Sequence, residues 1–164
     1  RRSSDLIMKS RQGFVSNSSS SSFIVCFTKD PTARVNLEAD MGDCYSSYDW
    51  DDNPLMTFQV LDRVHQDILE KLPATKEDIC RELAYDMPYN AGSKKKDDED
   101  FDQYWERKDK ERIKYVEAEY IKHKEFFENN HVYILSYADD EGEAEMEHGN
   151  IFRNLPFSIA VSHH

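Results

Sequence analysis

Acids and imidazoles crowd the last quarter of the chain: Asp139, Asp140, Glu141, His148, His163 and His164. Carboxylate oxygens with imidazole nitrogens make a donor set for a divalent transition metal. Spacing narrows that set. Neighbouring residues of a strand face opposite ways, so His163 and His164 share a metal only if the strand ends there. The arrangement favoured is His148 at one strand end with His163 beside it across a sheet, joined by the acids Asp139 and Glu141. The competing use of His148 is structural, because it shares its expected face with Ala144 and Met146.

A second chemical signal is "SNSSSSS", residues 16–22, set between Phe14-Val15 and Phe23-Ile24-Val25. Consecutive backbone N–H groups and hydroxyls ahead of a strand can cradle an anion. The residues that would do so are Asn17, Ser18, Ser19, Ser20 and Ser21, with Lys9 and Arg11 near in sequence. Two other readings stand beside it: a polar loop shaped by an Asx turn at Asn17, and a site of modification or processing. Because apolar residues bracket both ends, the run is expected to be held against the sheet rather than to act as a tether.

A third signal is aromatic. Tyr45, Tyr48 and Trp50 sit among Asp43, Asp49, Asp51 and Asp52. Acids resist burial unless paired, so these rings are expected on an exposed loop, where aromatics anchor interfaces. The chain carries 33 acids against 21 bases, a net charge of −12. Such a surface repels phosphates, which argues against direct nucleic-acid binding and for a protein partner with a basic surface. The three cysteines, Cys26, Cys44 and Cys80, form neither a disulfide framework nor a CxxC knuckle. With no apolar run of the ~18 residues a membrane span needs, the expectation is a cytoplasmic protein with no membrane partner. Nucleophile elbow, HExxH, P-loop and dinucleotide fingerprints are all missing. No organic cofactor is expected, and a divalent metal is the inorganic group these residues could take.

Elements must position these groups. SFIVCF (22–27), HVYILSY (131–137) and FSIAVS (157–162) read as strands, and alternation over Glu143–His148 reads as a further strand with an acidic face. Asn53-Pro54 announces a helix carrying Leu61, Val64, Ile68 and Leu72, stopped by Pro73. Thr75–Asp78 resembles a capping box for a second helix, closed by Pro88. A long third helix begins within the acids after Lys96 and ends at Asn129-Asn130, where asparagine suits a left-handed cap. Residues 28–53 read as a long loop, with a short strand over VNLEA as the alternative for that part. The sum is an α+β domain: a mainly antiparallel sheet of about four strands with about three helices packed on one face.

The stretch "MKSRQGFVSNSSSSSFIV", Met8 to Val25, resembles the opening of a set of uncharacterised bacterial and bacteriophage proteins. Those begin with a basic stretch, then Phe-Val-Ser/Thr-Asn, a serine run and a strand. The ending "EHGNIFRNLPFSIAVSHH" is similar to such proteins too. The resemblance implies a bacterial or phage cytoplasmic protein starting at Met8. Residues 1–7 then read as a leader or remnant, and residues 8–164 as one α+β domain. It does not choose between functions. The first expectation is a small acidic interaction protein that binds and modulates a host macromolecule. The alternative is a metal- or anion-dependent hydrolase or transferase using the serine loop and the C-terminal histidines.

Overall fold

The computed structural model describes residues 19–48, 55–88, 94–141 and 143–163. Its centre is β1 (Ser20–Phe27), flanked by two antiparallel partners. On one side runs β2 (His131–Ala138), with Ser20 opposite Ala138 and Phe27 opposite His131. On the other runs β3 (Phe157–Ser162), with Ser21 opposite Ser162 and Cys26 opposite Phe157. From Phe23 to Phe27 every β1 residue is buried. A strand with both pleat faces covered reads as a continuous apolar run rather than an alternation, and FIVCF does.

Helices therefore cover both faces, not one as expected. The face carrying Phe23, Val25, Phe27, Tyr133, Leu135 and Tyr137 packs against α1 (Arg34–Met41), α2 (Thr57–Leu69) and α5 (Ala144–His148). The face carrying Ile24, Cys26 and Val132 packs against Ile79 and Leu83 of α3 (Lys76–Tyr85) and Tyr120 and Phe127 of α4 (Phe101–Asn129). One helical layer covers a single face of a sheet, so the apolar residues on the second face of β1 need a second layer. Burial at ~25 cal/mol per Å² of apolar area rewards the second layer.

The class is α+β, with three strands and five helices among the described residues rather than four and three. Two departures account for the difference. Residues 34–41 form α1, where a loop with a short strand was expected. Leu37 and Met41, four apart, are its buried stripe. Gly42, at φ 55°, ends it, a backbone conformation glycine adopts without the Cβ penalty. Residues 144–148 form α5, where a strand was expected. Glu143, Met146 and Glu147 are the buried residues there, a helical i, i+3, i+4 spacing. Two members of that stripe are acids, so a hydrophobicity pattern reads it as alternation.

Helix ends follow local chemistry. Thr75 accepts from the Asp78 amide at 3.1 Å and Asp78 accepts from the Thr75 amide at 2.9 Å, the capping box expected. Asp100 and Gln103 repeat it for α4. α2 begins at Thr57 rather than at Asn53-Pro54, which lie outside the described residues, and the Gln59 side chain receives the Met56 amide at 2.8 Å. Asn130 is extended, at φ −133°, not left-handed; its side chain instead donates to the Phe126 carbonyl at 2.9 Å. No described helix is long and apolar enough to cross a membrane.

Candidate metal centre

The start of β1 and the end of β2 meet at one edge of the sheet, and the ladder continues one step past both. The Asp139 amide donates to the Ser19 carbonyl at 3.0 Å. The Ser19 amide donates to Asp139 Oδ1 at 2.8 Å instead of to a carbonyl. This side-chain substitution turns the Asp139 carboxylate toward Ser19. A single 3₁₀ turn, Asp139–Glu141, then reverses the chain into α5. The turn is tied back by Glu143, whose amide donates to the Ala138 carbonyl and whose Oε1 accepts the Ala138 amide at 3.1 Å. Arg63 of α2 pairs with the other Glu143 oxygen and with Asp67. Asp67 in turn accepts the Tyr137 hydroxyl at 2.8 Å. Burial, with Asp67 beside it, holds the Tyr137 hydroxyl well above its usual range. Tyr137 therefore remains a neutral donor in this network.

α5 lays Glu147 and His148 over the same spot. Ser19 Oγ lies 2.7 Å from Glu147 Oε1, 3.0 Å from Asp139 Oδ2 and 3.2 Å from His148 Nε2. Glu147 Oε2 accepts the Ser21 hydroxyl at 2.9 Å, and His148 Nε2 stands 3.1 Å from Glu147 Oε1. One ligand atom each from Asp139, Glu147 and His148 lie within 4.8 Å of one another. The Glu147 side chain is 1% exposed and that of His148 40% exposed, so the centre has a buried wall and an open side.

The C-terminal end of α5 is fixed from outside. Ser46 Oγ donates to the Glu145 carbonyl at 2.8 Å, and both the amide and the hydroxyl of Ser47 donate to the Gly149 carbonyl at 2.9 Å. Gly149 has to be glycine, because a Cβ there would overlap the Glu145 carbonyl and the Ser46 side chain. Tyr48 then packs on the His148 ring, centroids 5.3 Å apart.

This geometry is not a serine–histidine–acid relay. Such a relay needs the acid on Nδ1 and the serine on Nε2. Here the serine and the acid both face Nε2. The Ser19 hydroxyl carries one proton against three acceptor-capable atoms. Two carboxylate oxygens and an imidazole nitrogen grouped around the Ser19 hydroxyl are a donor set of the kind that could hold a divalent cation. Thiolates do not contribute: Cys26 and Cys44 are fully buried in the core, and Cys80 packs on the α3/α4 side of the sheet. Burial pushes the Cys26 thiol up to about 12 and raises that of Cys44.

Three separate sequence signals meet here: Ser19 and Ser21 from the serine run, Asp139 and His148 from the acid–imidazole set, and Tyr48 from the aromatic patch. Ser20 lies in β1, and its carbonyl accepts the His163 amide at 3.0 Å. Asn17 and Ser18 lie outside the described residues. The Ser19 and Ser21 hydroxyls, which could have met an external anion, are directed at the chain's own carboxylates, Asp139 and Glu147.

His163 does not join His148. Its side chain is on the opposite face of the sheet, against α3, with Nε2 3.1 Å from Glu82 and its ring 4.5 Å from that of Tyr85. Glu141 falls in the 3₁₀ turn, and its side chain lies outside the described residues. Tyr45 is 48% exposed, with the Arg153 guanidinium 4.5 Å over its ring. Tyr48 is half-buried rather than exposed, and Trp50 lies outside the described residues.

Glu147 is the member that sequence reasoning missed. It was one of three alternating glutamates on an expected strand. Its signal was the helical spacing to Glu143, with His148 adjoining. Compared with known families, curated proteins and solved structures, the chain matches none.

Proposed function

We propose that the chain binds one divalent transition-metal ion through Asp139, Glu147 and His148, and uses it in hydrolytic or group-transfer chemistry. The observation that supports this reading is the convergence of those three donors around the Ser19 hydroxyl. Two carboxylates and an imidazole suit zinc, manganese or ferrous iron, and not a soft ion that seeks thiolate. Three protein ligands leave coordination positions for water, the pattern of catalytic rather than structural sites. The open side at His148 is where water and substrate would enter. Ser19 and Ser21 hold Glu147 in position, and Tyr48 holds the imidazole plane. Calorimetric titration of the purified chain with zinc and with manganese tests the reading. One ion per chain is the expected stoichiometry. Heat no greater than that of dilution for both metals counts against it.

The interaction-protein reading keeps a specific support. Phe101 and Trp105, one helical turn apart at the start of α4, are 66% and 54% exposed. Aromatics on a charged helix are anchors for a protein partner, here a host protein with a basic surface. Its test is capture of partners by the wild-type chain and by Phe101→Ser/Trp105→Ser. Loss of a reproducible partner supports the reading, and an identical set of captured proteins removes it.

A further inference from the structure

Among the described residues β3 bonds to β1 alone, and β1 is paired on both sides. The His163 amide donates to the Ser20 carbonyl. In an antiparallel ladder, directly opposed residues alternate between hydrogen-bonded and non-bonded pairs. His163, Val161, Ile159 and Phe157 therefore direct their backbone groups at β1. Ser162, Ala160 and Ser158 direct theirs outward. Among the described residues, no backbone hydrogen bond reaches those outward groups, and the three side chains are exposed.

Natural sheets blunt such an edge with lysine, proline, a bulge or a covering element. Between Phe157 and Ser162 there is no charge, no proline and no bulge. In a chain of net charge −12, this strip carries no charge.

We infer that the outer edge of β3 pairs antiparallel with β3 of a second copy of this chain, giving a continuous six-stranded sheet across a two-fold axis. The strand is self-complementary in one register. Placing Ile159 against Ile159 on the axis puts Ser158 opposite Ala160 of the second copy, twice. Those are the residues whose backbone groups point outward, so each pair exchanges both N–H···O=C bonds. The same register puts Phe157 opposite Val161. The apolar row Phe157, Ile159, Val161 thereby continues from one copy to the next on the α3/α4 side. Phe126, 40% exposed and stacked 4.8 Å from Phe157 at the rim, gains cover. An antiparallel two-fold brings the Phe157 end of each strand, where His123 lies 4.7 Å from the Phe157 ring, toward the His163 end of its mate.

Sedimentation velocity of the full chain tests this, with three proteins compared. The wild type is expected at twice the 19.3 kDa chain mass. Ser158→Lys/Ala160→Lys sets lysines opposite one another while altering only exposed side chains. It is expected to weaken association by about tenfold or more, with an unchanged far-ultraviolet circular dichroism spectrum. Ser158→Lys/Ala160→Glu sets lysine opposite glutamate in the same register and is expected to restore the dimer. A monomeric wild type, a dimer that survives the double lysine, or a lysine–glutamate variant that stays monomeric would each overturn the inference. Metal binding plays no part in any of the three outcomes.

Discussion

Gly149→Ala is expected to lower the melting temperature by roughly 10 °C, a loss of about 3 kcal/mol. The added methyl would overlap a backbone carbonyl, that of Glu145, and the Ser46 hydroxyl. A flexible side chain could swing away, but the Glu145 carbonyl is part of α5 and accepts Ser46 Oγ at 2.8 Å. Relief therefore needs α5 or the 46–48 loop to shift. Either shift breaks the bonds from Ser47 to the Gly149 carbonyl and moves His148, the next residue along. The variant is thus expected to lose metal affinity together with stability. A thermal melt within a degree or two of wild type would mean that the clip between loop and helix is not what fixes α5.

Glu147→Gln is expected to separate stability from binding. Gln keeps the size of the side chain and one acceptor oxygen. The Ser19 and Ser21 hydroxyls, both donors to Glu147, retain a partner after rotation, so the metal-free fold should change by about 1 kcal/mol or less. Metal binding should suffer far more. Losing an outer-shell partner costs roughly 10–100-fold in metal affinity, and removing a charged ligand should exceed that. The cleanest readout is the melting temperature with and without zinc. At a hundredfold excess over the dissociation constant, bound metal adds about 2.7 kcal/mol to the wild type. In Glu147→Gln that gain should vanish at the same zinc concentration. A metal-induced shift of wild-type size in this variant would remove Glu147 from the ligand set.

Why the sequence discloses some of this and hides the rest follows from where each signal resides. FIVCF, HVYILSY and FSIAVS mark their strands because burial demands apolar, β-branched residues there. Thr75–Asp78 marks its helix start because the capping bonds are local. α5 was hidden because its buried stripe contains two glutamates. Glu143 is matched by Arg63, eighty positions away, and Glu147 by Ser19 and Ser21, more than a hundred positions away. Those partners exist only once β1 and β2 are paired. α1 was hidden because Leu37 and Met41 are the only two buried positions of a short helix, beside Pro31 and Gly42, which speak for turns.

The site divides in the same way. Donor types were legible: serines ahead of β1, acids after β2, His148. Their grouping was not. His148 and His163 both lie near the sheet end that holds Ser19 and Ser20, but they belong to opposite faces, a distinction set by register. Ser20 opposite His163, just past β3, and Ser19 beside Asp139, just past β2, send their neighbours to different layers. A one-residue difference in register would exchange them.

Asp139, Glu147 and His148 are proposed to ligate one metal ion together, and X-ray absorption at the zinc edge of the zinc-loaded chain tests this. The expected spectrum shows a shell of oxygen and nitrogen at about 2.0–2.1 Å with one imidazole, and the imidazole signature is lost in His148→Ala. Sulfur at about 2.3 Å, or an imidazole that persists in His148→Ala, would contradict it.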